Sequence, residues 1–171
     1  MGSPFWNFSL AVYGASAVQG ECLKLQDEFA LDVNLILLCA FLGAVHGVTL
    51  TADDIAAARQ EVKQWQELTV RPLRAARRHL KTAELTNAQD AAAAAQLRVQ
   101  VKAAELESER IEQALLERWA VAQLAKWPHG KASDAVSANL RALFAAYGIG
   151  RERLADAKNI VATALGQAAH E

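Results

Sequence analysis

The stretch Val33-Asn-Leu-Ile-Leu-Leu-Cys-Ala-Phe-Leu-Gly-Ala-Val-His-Gly47 constrains the fold more than any other part of the chain. It is apolar on every side, whereas a surface helix is apolar on one face only, so it belongs inside a layer of other elements. It is shorter than the roughly 20 apolar residues that a membrane span needs. Asp32 just before it supplies an N-cap, and Gly47 just after it supplies a left-handed stop. The other elements are then expected to pack around this segment.

Those other elements read as helices. Only three prolines and two tyrosines occur in 171 residues, alanine supplies much of the 53% hydrophobic share, and no alternation of period two appears. The expected fold class is all-α: a multi-helix bundle around a buried central helix (33–47), with a long antiparallel helical hairpin (51–127). Residues 1–171 are expected to form a single helical domain. It would comprise a compact aromatic-rich unit (1–50), the hairpin (51–127) and two C-terminal helices (128–171).

Local signals place the boundaries. Ser3-Pro4 starts a helix that Gly14 ends in a left-handed conformation. Ser16-Ala-Val-Gln19 has the form of a capping box for the second helix. Thr51-Ala-Asp-Asp54 opens the fourth, with acids in the first turn. From there Ile55, Ala58, Val62, Trp65, Thr69, Pro72, Ala76 and Leu80 recur at steps of three and four, and Pro72 must kink this helix or start a new one. A turn near Thr86-Asn87 precedes a long helix from about Ala88 to Trp127. Its residues Leu97, Val101, Ala104, Ser108, Ile111 and Leu115 form a seam of coiled-coil type. Ser133 is the expected cap of the next helix, Gly148 its stop, and a last helix is expected over about 151–167.

Several segments resemble a family of uncharacterised proteobacterial proteins of similar length. They are Trp6-x-Phe8-Ser9-x-x-x-Tyr13, Cys22-Leu23-x-Leu25-Gln26-Asp27, Leu31-Asp32-Val33-Asn34 and Val70-Arg71-Pro72-Leu73-Arg74-x-x-Arg77-Arg78-x-Leu80-Lys81. The resemblance covers most of the chain. It implies a small cytoplasmic all-helical protein and brings no activity with it.

Charge patterning is the most informative functional signal. The formal net charge is −1, which gives no global pull towards nucleic acid or anionic membrane. Yet Arg71, Arg74, Arg78 and Lys81 share one helix face, with Arg77 beside them. If the hairpin turns near residue 86, facing positions sum to about 172, so Arg71 to Lys81 face Ala91 to Val101, a stretch without an acid. Glu105, Glu109 and Glu112 then lie opposite Glu67, Lys63 and Gln60, near Arg59. The stripe is expected to lack partners within the hairpin, leaving an anion or an acidic partner as one reading. Pairing with Glu21, Asp27, Glu28, Glu152 or Asp156 on other helices is the other. Arginine's planar fork suits carboxylates and phosphates.

No catalytic constellation accompanies the stripe. The chain has no Glu-x-x-His, no His-x-x-x-His and no glycine-rich phosphate loop. Ser9 and Ser16 have no base nearby in sequence. His79, His129 and His170 read as exposed, and His46 suits a structural role at a helix C-terminus. Cys22 and Cys39 form no C-x-x-C pair, and Cys39 reads as a small buried hydrophobe. No cofactor and no metal are expected. Asp27, Glu28 and Asp32 are better explained as a helix end and a cap than as a magnesium site. The expectation is a non-enzymatic cytoplasmic protein-interaction or adaptor protein that uses Arg71, Arg74, Arg77, Arg78 and Lys81 to meet an acidic protein surface. The regular seams also allow a homodimer, and one short stripe without interleaved aromatics argues against nucleic acid. The rival is an enzyme or carrier that binds an anionic, phosphate- or diphosphate-bearing apolar molecule. It would use a pocket lined by Trp6, Tyr13, Asp27, Asp32, His46 and Trp65.

Overall fold

The computed structural model describes residues 3–169; His170 lies outside them. The described chain is helical, with no strand among the described residues. The helices are α1 (Pro4–Tyr13), α2 (Ser16–Phe29), α3 (Val33–His46), α4 (Ala52–Trp65), α5 (Arg71–Thr82), α6 (Ala88–Gln123), α7 (Ala132–Ala146) and α8 (Lys158–Ala168). A π turn, Gln66–Val70, joins α4 to α5, and 3-10 turns cover Leu124–Lys126 and Arg151–Ala157. No helix among the described residues is long and apolar enough to cross a membrane.

The chain divides into two compact units: residues 1–61 with 113–171, and residues 62–112. In the larger unit α3 is the centre. Every residue from Asn34 to Ala44 is buried, and α1, α2, α7 and α8 all pack on it. Asp32 caps it as expected, its Oδ1 accepting from the Asn34 N–H at 2.9 Å. Gly47 closes it at φ 63°. A second constraint also requires glycine there: a Cβ at Gly47 would lie 2.4 Å from the Gly130 carbonyl oxygen. The closest packing on the central helix is with α7. A Cβ added to Gly43 would lie 2.6 Å from the backbone nitrogen of Val136, so the two helix backbones approach as only glycine permits.

A few polar groups are fixed inside this apolar unit. Asn139 is fully buried on α7. Its Nδ2 donates to the carbonyls of Val48 (2.9 Å) and Cys39 (3.2 Å), and its Oδ1 accepts from the Leu50 N–H at 2.7 Å. It therefore ties the middle of α3 and the segment leading to α4 to α7. Gln113 donates to Asn34 Oδ1 at 2.8 Å, both buried. Acids borrowed from other helices cap two N-termini. Glu117 accepts from the Phe5 N–H at 2.9 Å, and Glu21 accepts from the backbone of Asn159 and Ile160 at 3.0–3.1 Å. A carboxylate there meets both the unpaired amides and the positive end of the helix dipole.

Several boundary expectations are corrected. Gly14 is right-handed at φ −63° and continues the hydrogen-bond ladder to Leu10. α2 is not opened by a capping box: Ala15 holds the N-cap position and no side chain caps it. Ala30, not a glycine, takes the left-handed φ of 53° at its end. Lys131 precedes α7 in place of Ser133. The last helix begins only at Lys158, because 151–157 winds as 3-10. Cys22 and Cys39 are both free and buried. Burial pushes each thiol up to about 12, with the charge of Glu21 adding to the effect at Cys22.

Candidate functional site

The basic stripe lies in the smaller unit, 62–112, and its geometry is set by the π turn. Arg71 donates its N–H to the Gln66 carbonyl five residues back. Pro72 follows immediately. Proline has no N–H and its ring conflicts with the carbonyl four residues earlier, so a widened turn accommodates it without ending the helical path. One extra residue in that turn rotates everything after it. The apolar spacing predicts Thr69, Pro72 and Ala76 on the inward face, yet Pro72 and Ala76 are exposed and Val70 is buried. The inward positions are Val70, Leu73, Arg77 and Leu80, shifted by one from the expected set until Leu80, and Arg74 is drawn in beside them.

That rotation divides the stripe. Arg74 Nη2 donates to Glu109 at 2.8 Å and its Nε to Glu105 at 3.2 Å. Arg77 Nε forms a short ion pair with Glu105, and its Nη2 donates to the same carboxylate at 3.2 Å. Glu105 thus receives two guanidinium groups while its side chain is only 7% exposed and that of Arg74 17%. Burial disfavours the Arg74 cation, but the hydrogen bonds and charges of Glu109 and Glu105 outweigh it, so its pKa is raised. At Arg77 the hydrogen bond to Glu105 is the leading cause of a shift in the same direction.

The expectation that the stripe lacks acids in the hairpin is therefore wrong for Arg74 and Arg77. The reason is side-chain direction. In a helix every Cα–Cβ bond leans towards the N-terminus. Arg74 leans towards residue 70 and Glu105 towards residue 102, and 70 and 102 do face each other in a register of 172. Trp65, whose indole donates to the Ser108 carbonyl at 2.9 Å, sits close to that register. Three of the five acids proposed as alternative partners on other helices are engaged elsewhere. Glu21 caps α8, Glu28 pairs with Arg153, and Asp156 pairs with Lys24 and Arg153. Arg59, placed near Glu112 by the register, instead lies over the Tyr147 ring at 4.3 Å.

The α6 side of the unit is turned in the same unusual sense. Its buried residues are Glu105, Ser108 and Glu112, with Gln66 donating to both Glu112 oxygens at 3.2 Å. The seam expected from Leu97, Val101, Ala104, Ser108, Ile111 and Leu115 is not the buried face: Leu97, Ala104 and Ile111 are exposed, Val101 and Leu115 are half-buried and only Ser108 is buried. Leu68 and Val99 are 69% and 68% exposed, and Leu106 joins them. Val99, Lys102 and Leu106, spaced three and four apart, share one side of α6. Arg71, Arg78 and Lys81 are exposed on α5. The polar and ionic groups of α6 thus meet Val62, Val70, Leu73 and Leu80 in the helix contact, while further apolar and basic side chains lie outside.

The residues expected to line a pocket serve separate purposes. Asp32 is the buried cap of α3. The His46 ring meets Phe41 edge-on at 5.2 Å, and its carbonyl accepts from His129 Nδ1 at 2.9 Å. Trp6 and Tyr13 are half-buried on α1, Asp27 is exposed at the end of α2, and Trp65 belongs to the smaller unit. No group of three or more His, Cys, Asp or Glu among the described residues could hold a metal ion.

An all-α chain with an apolar central helix and a hairpin that buries carboxylates on its α6 side is the class that these features define. The chain belongs to the family described as "Protein of unknown function (DUF2390)", whose model matches residues 4–116. The match covers the central helix, the π turn and the basic stripe. No curated protein and no solved structure matches the chain.

Proposed function

We propose that this protein is a non-enzymatic interaction or adaptor protein that engages an acidic partner through the outside of the 62–112 hairpin. One observation carries the reading: the hairpin buries Glu105, Ser108 and Glu112 and leaves Leu68, Leu97, Val99 and Leu106 in solvent beside Arg71, Arg78, Lys81 and Lys102. Burying ion pairs seldom adds net stability over apolar packing. Exposing apolar surface costs free energy in a monomer and serves a binding surface. Interface cores are more apolar than the rest of a protein's surface and are enriched in arginine. Arg74 and Arg77 act in this reading as internal braces, with Arg71, Arg78 and Lys81 supplying the outward charge.

The test is a proximity-crosslinking capture with the full chain in a cytoplasmic extract, comparing the parent, an Arg71→Glu/Arg78→Glu/Lys81→Glu variant and a Leu23→Ala control on the other unit. The expected result is a defined partner that is retained by the control and lost by the charge reversal, with unchanged circular dichroism. Equal capture by all three chains overturns the reading.

A further inference from the structure

The closed end of the hairpin contains a hollow of about 200 Å³, lined by Leu80, Leu85, Ala91 and Ala94 and by two cations, Lys81 and Arg98. The Arg98 Nε is buried and has no hydrogen-bond partner. A buried donor without an acceptor is costly, and a native one calls for an explanation. Lys81 forms no ion pair among the described residues. Local charge points the same way. Besides the paired Arg74 and Arg77, residues 68–104 hold Arg71, Lys81, Arg98 and Lys102, and their acids are Glu84 and Asp90. The hollow is too small for a cofactor, since such sites run to roughly 300–1,000 Å³. It is of the size of one side chain.

We infer that this hollow is the anchor point for the partner and that it takes an acidic side chain flanked by an apolar residue, the carboxylate lying between Lys81 and Arg98. The inference rests on the interaction reading and names the partner's chemistry. A carboxylate supplies the acceptor that Arg98 lacks, in the planar geometry that suits a guanidinium. The alanine and leucine walls accept the methylenes and the apolar neighbour. A bare inorganic anion would leave those walls unused.

The experiment selects a random linear peptide library against the full chain and measures the enriched peptides by fluorescence anisotropy. Enriched sequences should carry an acid next to an apolar residue. Arg98→Gln and Ala94→Leu, which removes the cation and fills the hollow respectively, should each weaken them by at least about tenfold, as expected for a lost charged hydrogen bond. Inorganic phosphate at millimolar concentration should not displace them. The inference is overturned if nothing is enriched, if both variants bind like the parent, or if phosphate competes fully. It is also overturned if sedimentation shows that a second copy of the chain occupies the hollow and Arg98→Gln releases it. Peptides that bind Arg98→Gln normally but fail on an Arg71→Glu/Arg78→Glu variant, which leaves Lys81 in place, would overturn the hollow alone and leave the interaction reading standing.

Discussion

Replacing Asn139 by alanine should be among the most damaging single changes in the larger unit, although no catalysis or recognition is assigned to it. The side chain is fully buried and makes three hydrogen bonds to backbone groups. The Cys39 carbonyl keeps its intrahelical bond when the amide is removed. The Leu50 N–H and the Val48 carbonyl lose their partner, and each orphaned group costs about 1–3 kcal/mol. The cavity adds to this, so the loss should be about 3–5 kcal/mol, in the range reserved for severe core changes. Urea unfolding followed by circular dichroism measures it. Asn139→Asp refines the prediction, since it keeps the volume and the acceptor for Leu50 but aims a carboxylate at two carbonyls. Burial and those carbonyls raise that carboxyl's pKa in the folded state. The variant should therefore lose stability as pH rises above the unfolded value of about 3.9 and be least impaired below it. A loss under about 1 kcal/mol for Asn139→Ala at pH 7 would refute the reasoning, because it would mean that both backbone groups find other partners.

Four further outcomes are expected. Gly43→Ala should destabilise by about 1–3 kcal/mol despite its better helix propensity, because its Cβ would meet the Val136 backbone and not a side chain that can move away; thermal melting would show a fall of several degrees. Glu105→Ala should cost about 2–3 kcal/mol by leaving Arg74 and Arg77 without their shared carboxylate, somewhat below the usual cost of breaking a buried pair because both can turn partly to water; joint replacement of Glu105, Arg74 and Arg77 by methionine should recover most of it in the same urea titration. Asp54 is disfavoured by burial, but hydrogen bonds from the Thr51 hydroxyl and N–H and from the Trp127 indole outweigh this and lower its pKa. Its contribution of about 1 kcal/mol should thus be fully present above pH ~3.9 and disappear as pH falls through the lower folded value, so parent and Asp54→Asn stabilities should converge in acid. Cys22 and Cys39, with thiols held near 12 by burial, should not react with a thiol reagent at pH 8 until the chain is unfolded.

The apolar run 33–47 was legible because nothing but burial accommodates a helix hydrophobic on all sides, and its two ends were legible because Asp32 and Gly47 have one simple use each. The caps that failed, Ser16 and Ser133, lie where neighbouring helices decide the entry angle, and a local motif carries no information about those. Glu21 and Glu117 as caps for helices far along the chain had no sequence signal at all. In the hairpin, the three-four spacing correctly marked Ile55, Ala58 and Val62, then failed beyond Trp65. Pro72 announced an irregularity, but its form, an inserted residue within a continuous helical path, follows from tertiary accommodation. The basic residues were visible, but the division between Arg74 and Arg77 on one side and Arg71, Arg78 and Lys81 on the other needed the rotation and the lean of helical side chains.

The π turn has a meaning beyond geometry. It acts as a phase shifter: the five basic residues are written in the chain as one band, and a single added residue upstream sorts them into two groups with different duties. Neither group is defined by its own composition. A one-residue deletion within 66–70 would leave every arginine in place chemically and still exchange bracing cations for outward-facing ones. In this protein the unit of information for the basic face is therefore the distance from that turn, counted in residues, and not the identity of any single side chain within it.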